Sequence, residues 1–148
     1  RFESEEVLAL TYQTRGLLPE ITLSVTVPHI LTLDQQVQLA EDLVKAGADI
    51  IQTEGGTSSN PIHSGTLGLI EKAAPTLAAA YEISRAVSVP VLCASGVSNV
   101  TAPMAIAAGA AGVGVGSAIN QLNSEIAMIA AVRSLVESLA TANTRIFA

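Results

Sequence analysis

Short apolar runs alternate with stretches of helical periodicity along this whole chain, and that alternation restricts the fold more than any other feature. Residues 21–27 alternate strictly, with Ile21, Leu23, Val25 and Val27 on one face and Thr22, Ser24 and Thr26 on the other. That is the pattern of a strand with one apolar and one hydroxyl face. Pro28 ends it. Thr32 and Gln35 then stand at capping-box spacing, and the helix they open runs to Ala46 with Gly47 as its stop. Further strands are read over 49–53, 90–94 and 112–115, and further helices over 75–87, 100–108 and 124–140, with a short helical turn over 117–121. The helix over 75–87 has Pro75 at a first-turn position. Ahead of the first strand, residues 4–15 read as a helix with Val7, Leu8 and Leu10 on one face and acidic residues in the first turn, where the helix dipole favours them.

One helix followed by four βα units implies a parallel sheet with right-handed crossovers. Two helix-to-strand joints echo each other: Ala46-Gly47-Ala48-Asp49-Ile50-Ile51 and Ala108-Gly109-Ala110-Ala111-Gly112-Val113. A fold made by repeating one unit gives such an echo. Two architectures fit, a complete small flavodoxin-like sheet and the C-terminal half of a TIM (β/α)8 barrel. The expectation taken forward is the half barrel, because the chain opens on a helix at Arg1 rather than on Met and carries two adjacent glycine turns near its end. A whole barrel takes roughly 250 residues. The 148 residues here then form the C-terminal part of a single TIM-barrel domain whose N-terminal half is absent.

Bulk properties set aside several function classes. The formal net charge is −6 with only seven Lys and Arg, which argues against a nucleic-acid surface. No run approaches the roughly 20 apolar residues of a membrane span. Cys93 is the single cysteine, so neither an internal disulfide nor a thiolate metal cluster can form, and a reducing compartment is expected. No signal or basic transit segment is visible.

The chemistry-bearing features are the two glycine turns, Ser95-Gly96-Val97-Ser98-Asn99 and Gly112-Val113-Gly114-Val115-Gly116-Ser117. Turns on consecutive βα units can form a phosphate cradle at the C-terminal end of a barrel. Backbone N–H groups of Ser95, Gly96, Val97, Ser98, Gly116 and Ser117 would hold the oxyanion, with the two serine hydroxyls at 98 and 117 adding donors. The plainer alternative is a pair of tight turns with ordinary serine caps. If the apolar strand faces pack on helices, Thr22, Ser24, Thr26, Gln52, Glu54, Gly112, Gly114 and Gly116 face the lumen, a small and polar set that fits a wet pocket.

Glu54, at the end of the second strand, is the best general acid or base, and His29, after the first strand, is a candidate proton shuttle. His63 lies in the long segment 54–75, which exceeds most βα connections in length. With two histidines and no supporting carboxylate pattern, no metal site is expected. Cys93 reads as a small core residue. Lys45 falls late in a helix and Lys72 in the long segment, so no strand lysine is in place for imine chemistry. The dinucleotide fingerprint of a Rossmann domain is also absent.

The run Ala110-Ala111-Gly112-Val113-Gly114-Val115-Gly116-Ser117-Ala118-Ile119 resembles the final phosphate turn of ribulose-phosphate-binding barrels such as the tryptophan synthase α subunit, and Ala94-Ser95-Gly96-Val97-Ser98 resembles their preceding turn. A closer likeness covers nearly the whole chain. Ser24-Val25-Thr26-Val27-Pro28-His29, the run from Ala46 through Glu54-Gly55-Gly56-Thr57-Ser58, and Val91-Leu92-Cys93-Ala94-Ser95-Gly96-Val97-Ser98 resemble the hypothetical chloroplast open reading frame 23 family of cyanobacteria and plastids. The resemblance implies an aldolase-type barrel without an established activity, in a cyanobacterial cytoplasm or a plastid stroma.

The expected function is phosphate binding, with a lyase, isomerase or synthase acting on a phosphorylated small metabolite. One alternative is an oxidoreductase that seats flavin mononucleotide at the same turns. Another is a non-catalytic sensor or structural subunit. The expected partners are the phosphorylated molecule and either a second copy or the missing half, with neither nucleic acid nor membrane.

Overall fold

A computed structural model describes residues 2–55 and 59–142. The Gly56-Thr57-Ser58 part of the glycine-rich run after Glu54 lies outside the described residues. Four parallel strands, β1 (Ser24–Thr26), β2 (Ile50–Gln52), β3 (Val91–Ala94) and β4 (Gly112–Gly114), form one sheet in the order β1-β2-β3-β4. The helices are α1 (Ser4–Leu17), α2 (Leu33–Lys45), α3 (Gly65–Ala86), α4 (Ala102–Ala108), α5 (Ser117–Asn120) and α6 (Glu125–Ala142). A doubly wound sheet reverses its strand order at a switch point. This one does not, and α1, α2, α3, α4 and α6 touch one another in turn as consecutive neighbours.

The core lies between those helices and one face of the sheet. Val27, Leu43, Ile51, Ile83 and Cys93 are fully buried there, and Val25 and Val113 pack against them. Period-2 alternation sends the neighbouring residues to the opposite face. The register aligns Thr26, Gln52, Leu92 and Gly112 in one row across it. Leu92 is the bulky member of that row, and a side chain at Gly112 would come within 3.4 Å of its Cδ1. The open face is thus partly filled at mid-height and gives way to a cleft at its C-terminal end.

Local sequence explains most element ends. In α2 the capping box is complete: Thr32 Oγ1 accepts from the Gln35 N–H and Gln35 Oε1 accepts from the Thr32 N–H. Leu39, Ala40 and Leu43 turn one stripe into the core. Gly47 ends the helix in the left-handed region at φ +106, where a Cβ would strike the Arg15 side chain.

The first strand is shorter than 21–27. Pairing begins only at Ser24, because the Leu23 carbonyl accepts from the N–H groups of Asp49 and Ile50 and its own N–H donates to the Asp49 carboxylate. Thr22 therefore lies before the sheet and is exposed, and does not face a lumen.

The largest correction is α3. It does not begin at Pro75 but at Gly65, ten residues earlier, and runs through the proline. Residues 66–74 therefore belong to a helix, and so does Lys72. Pro75 has no N–H for the carbonyl four residues back and crowds that turn. The Ser59 hydroxyl donates to the Lys72 carbonyl at 2.9 Å in the turn before the proline. The chain leaving β2 also packs here: a Cβ on Gly55 would sit 2.8 Å from Pro75 Cβ, so glycine permits the approach.

At the next residue of α3, a buried polar relay ties helix to sheet. Thr76 Oγ1 donates to the Ala94 carbonyl at 2.6 Å and so accepts from Thr53 Oγ1, also at 2.6 Å. Cys93 Sγ stands 3.7 Å from Thr76 Oγ1. Burial pushes the Cys93 thiol pKa up, which keeps it protonated. It is a core residue, as the sequence implied.

Candidate functional site

All four strands point their C-terminal ends at one region, and the candidate residues divide there into two compartments. The first follows β1 and β2. Pairing continues one residue past each strand, through Val27 N–H to the Gln52 carbonyl and Thr53 N–H to the Leu92 carbonyl, so the exits are fixed by the ladder itself. Pro28 then turns the chain, and His29 meets Glu54. The Glu54 Oε1 atom lies 2.8 Å from His29 Nδ1 and accepts the His29 backbone N–H at 3.0 Å. A carboxylate only accepts, so with Glu54 ionised Nδ1 carries the proton and Nε2 of a neutral ring presents its lone pair. The side chains are 23% and 35% exposed and line a hollow of about 320 Å³. The sequence offered Glu54 and His29 as separate candidates, and the fold joins them.

The second compartment is a cleft of about 550 Å³ over β2, β3 and β4. Ser95, Gly96, Val97, Ser98, Gly116 and Ser117 all line it, with Gln52 on its β2 side. Ser95 and Gly96 are consecutive left-handed residues, at φ +72 and +81. Such a φ is uncommon for a residue with a Cβ, and strained turns of this kind are over-represented at ligand sites. The Val97 side chain is buried, so only its backbone serves the cleft. Ser98 has its N–H bonded to Thr101 Oγ1, and its Oγ accepts from the Val100 N–H. The Ser98 N–H is thus committed inside the turn, which the Ser98 and Thr101 side chains shape, and it is not the free donor that the sequence suggested.

Lys72 is the residue that the sequence reading missed. Once α3 extends back to Gly65, Lys72 sits on it as an exposed cation lining the same cleft. The available signal was the row of good helix formers, Leu69-Ile70-Glu71-Lys72-Ala73-Ala74, directly before the proline. Glu71, its neighbour, is turned elsewhere: it accepts from the N–H groups of Ile62 and His63 and pairs with His63 Nδ1. Those contacts hold the Glu71 carboxyl below its usual range, His63 first among them. His63 therefore anchors its loop to α3, and it lines neither compartment. Among the described residues no cluster of three or more His, Cys, Asp or Glu is placed to hold a metal ion.

A family model described as "Protein of unknown function (DUF561)" matches residues 1–145. The chain belongs to the DUF561 family. Its curated relatives include the uncharacterized protein ycf23 of Porphyra purpurea, 45% identical over 121 residues, which are 82% of this chain and 46% of the relative. The uncharacterized protein ycf23 of Cyanophora paradoxa is 44% identical over 125 residues, 84% of this chain and 51% of that protein. The chain spans about half the length of the curated relatives it matches. The likeness to the open reading frame 23 family is thereby correct.

Among solved structures, the Amycolatopsis orientalis BexX/CysO complex contains a chain that superposes on 99% of this DUF561 member and 53% of its own length, with a TM-score of 0.63 and 17% identity. That likeness concerns the fold alone. No helix among the described residues is long and apolar enough to cross a membrane.

Proposed function

We propose that this DUF561 chain is the phosphate-binding half of a (β/α)8 barrel and acts on a phosphorylated small metabolite. The observation that carries the reading is the meeting of both glycine turns in one cleft at the C-terminal end of a parallel sheet. Barrel phosphate sites lie after the last two strands, beside a short extra helix, and α5 is such a helix. Gly96 and Gly116 keep side chains out of the cleft, Ser95, Val97, Ser98 and Ser117 complete its wall, and Lys72 adds a positive charge in a chain of net charge −6.

Support for the barrel comes from the sequential strand order, the single file of helices, and sheet edges at β1 and β4 that carry no further strand among the described residues. Those edges would pair with a preceding half or with a second copy. The His29–Glu54 pair supports proton transfer, as in an isomerase, lyase or synthase, over a purely sensing or structural role. The working compartment would be a plastid stroma or a cyanobacterial cytoplasm.

Titration of the full-length protein with inorganic phosphate and simple phosphate esters tests the reading. Binding is expected, and it should fall about 100-fold in Gly116→Asp through charge repulsion. A Cβ at Gly116 meets open space, so that variant should keep its Tm. No binding by the wild type would overturn the proposal. Tight uptake of flavin mononucleotide with no response to small esters would replace the metabolite by the flavin.

A further inference from the structure

The two compartments together set a length for the ligand. This inference rests on the phosphate reading of the cleft. The glycine turns follow β3 and β4, whereas the His29–Glu54 pair follows β1 and β2. Neighbouring strands lie about 4.8 Å apart, so the centres of the two groups are two spacings, roughly 10 Å, apart along the end of the sheet. The two linings come nearest along the chain at the end of β2, where Gln52 lines the cleft and Glu54, two residues on, lines the hollow. A ring nitrogen moves a proton across about 3 Å. That leaves roughly 6–8 Å between phosphorus and the reacting atom. An extended chain advances about 3.5 Å per three bonds. Five to seven bonds, counted from phosphorus through the ester oxygen, therefore bridge the gap and end on the fourth to sixth carbon.

We propose that the substrate is a phosphate monoester of a four- to six-carbon carbonyl compound, bound with its phosphate at the glycine turns and its far end at His29. The proton moved is one on carbon next to the distal carbonyl. Its C–H bond breaks, the proton passes to His29 Nε2, and the electron pair moves onto the carbonyl oxygen as an enolate. Return of a proton from the ring to carbon closes the cycle with no further reactant. Glu54 is the positioning residue: it holds the Nδ1 proton and so keeps Nε2 as the base. Gln52, on the β2 side of the cleft, offers an amide to the oxygens along the chain. Lys72 stands on the phosphate side.

The test uses full-length protein in deuterated water with a ladder of phosphate monoesters that end in a methyl ketone, from three to eight carbons, so that the reacting carbon is the last of the chain. Deuterium entry beside the carbonyl, read by NMR, should peak at four to six carbons. At saturating ester it should drop 100-fold or more in His29→Gln and in Glu54→Gln, with ester affinity held within a few-fold. Glu54→Asp should restore part of the rate. Exchange that is absent at every length, peaks outside that range, or survives His29→Gln would overturn this inference while inorganic phosphate still binds. Absence of phosphate binding itself would instead remove the reading beneath it.

Discussion

The two ends of this sheet treat charge in opposite ways. At the N-terminal end, Arg15 reaches from α1 to the entries of β1 and β2 and donates to five acceptors: the carbonyls of Leu18, Pro19, Ile21 and Gly47 and the Asp49 carboxylate. A guanidinium has five N–H donors, so this one is fully engaged. Asp49 in turn accepts the Leu23 N–H at 2.8 Å, and the α1 loop, the entry to β1 and the entry to β2 are joined through one ion pair. At the C-terminal end, Lys72 and Gln52 face an open cleft and the His29 ring shares a hollow with Glu54. A saturated cation serves structure, and a cation facing solvent beside glycine turns is available to a ligand. The barrel proposed above would divide stability and chemistry between its two faces in this manner.

Breaking the saturated end should have the largest effect on folding. Arg15→Met keeps much of the stem over Gly47 but leaves five acceptors to water. The expected result is a fall of about 5 °C in Tm, since each hydrogen bond to a charged group contributes more than a neutral one and a domain of this size loses a few degrees per kcal/mol. Phosphate affinity at the opposite end should stay within about twofold at temperatures where the variant is folded. Thermal melts followed by titration would show it. An equal loss of ligand affinity would mean that the ends are not separate.

How much of this was legible in the sequence depended on distance along the chain. The α2 cap was readable because Thr32 and Gln35 are three residues apart and bond each other's backbone. The first glycine turn was readable because Gly96 takes a left-handed φ of +81, which favours glycine whatever surrounds it. His29 and Glu54 could each be singled out by position after a strand, but their bond spans 25 residues and depends on β1 pairing with β2 in one register. Arg15 and Asp49, 34 residues apart, gave no local signal at all. Lys72 was hidden by Pro75, whose ring favours a helix start but here sits inside a long helix. A first-turn proline and an interior one look alike in sequence. The packing of Gly55 against the ring accommodates the interior position.

At the open end, the corresponding break is Lys72→Gln. The side chain is exposed, so removing its charge should leave Tm within about 1 °C. Phosphate affinity should fall about fivefold at low salt, the modest effect of one solvent-facing charge. Isothermal titration at two salt concentrations sharpens the contrast. Near 1 M salt the screening length shrinks to about 3 Å, and the two proteins should converge. A Lys72→Gln protein that melts well below wild type would show that the lysine is a structural cation like Arg15.

The smallest effect is an acid limb, and it too separates the ends. The Leu23 N–H and the Arg15 guanidinium hold the Asp49 carboxyl below its ordinary value of 3.8. A depressed folded pKa means that the ionised form is favoured in the native state. Its contribution is therefore complete above the unfolded value near 3.8 and is lost as pH falls through the lower folded value. Stability measured from pH 6 downward should begin to decline at about pH 5, where the unfolded carboxyls start to take up protons, and fall further below it. Asp49→Asn removes the titration and should flatten that part of the slope. Glu71, lowered chiefly by His63, adds a second component that Glu71→Gln should remove. Asp49 is exposed and Glu71 partly so, and each change is small and calls for denaturant melts at closely spaced pH. If Asp49→Asn leaves the acid slope intact, the Arg15–Asp49 pair is not what joins the closed end of the sheet.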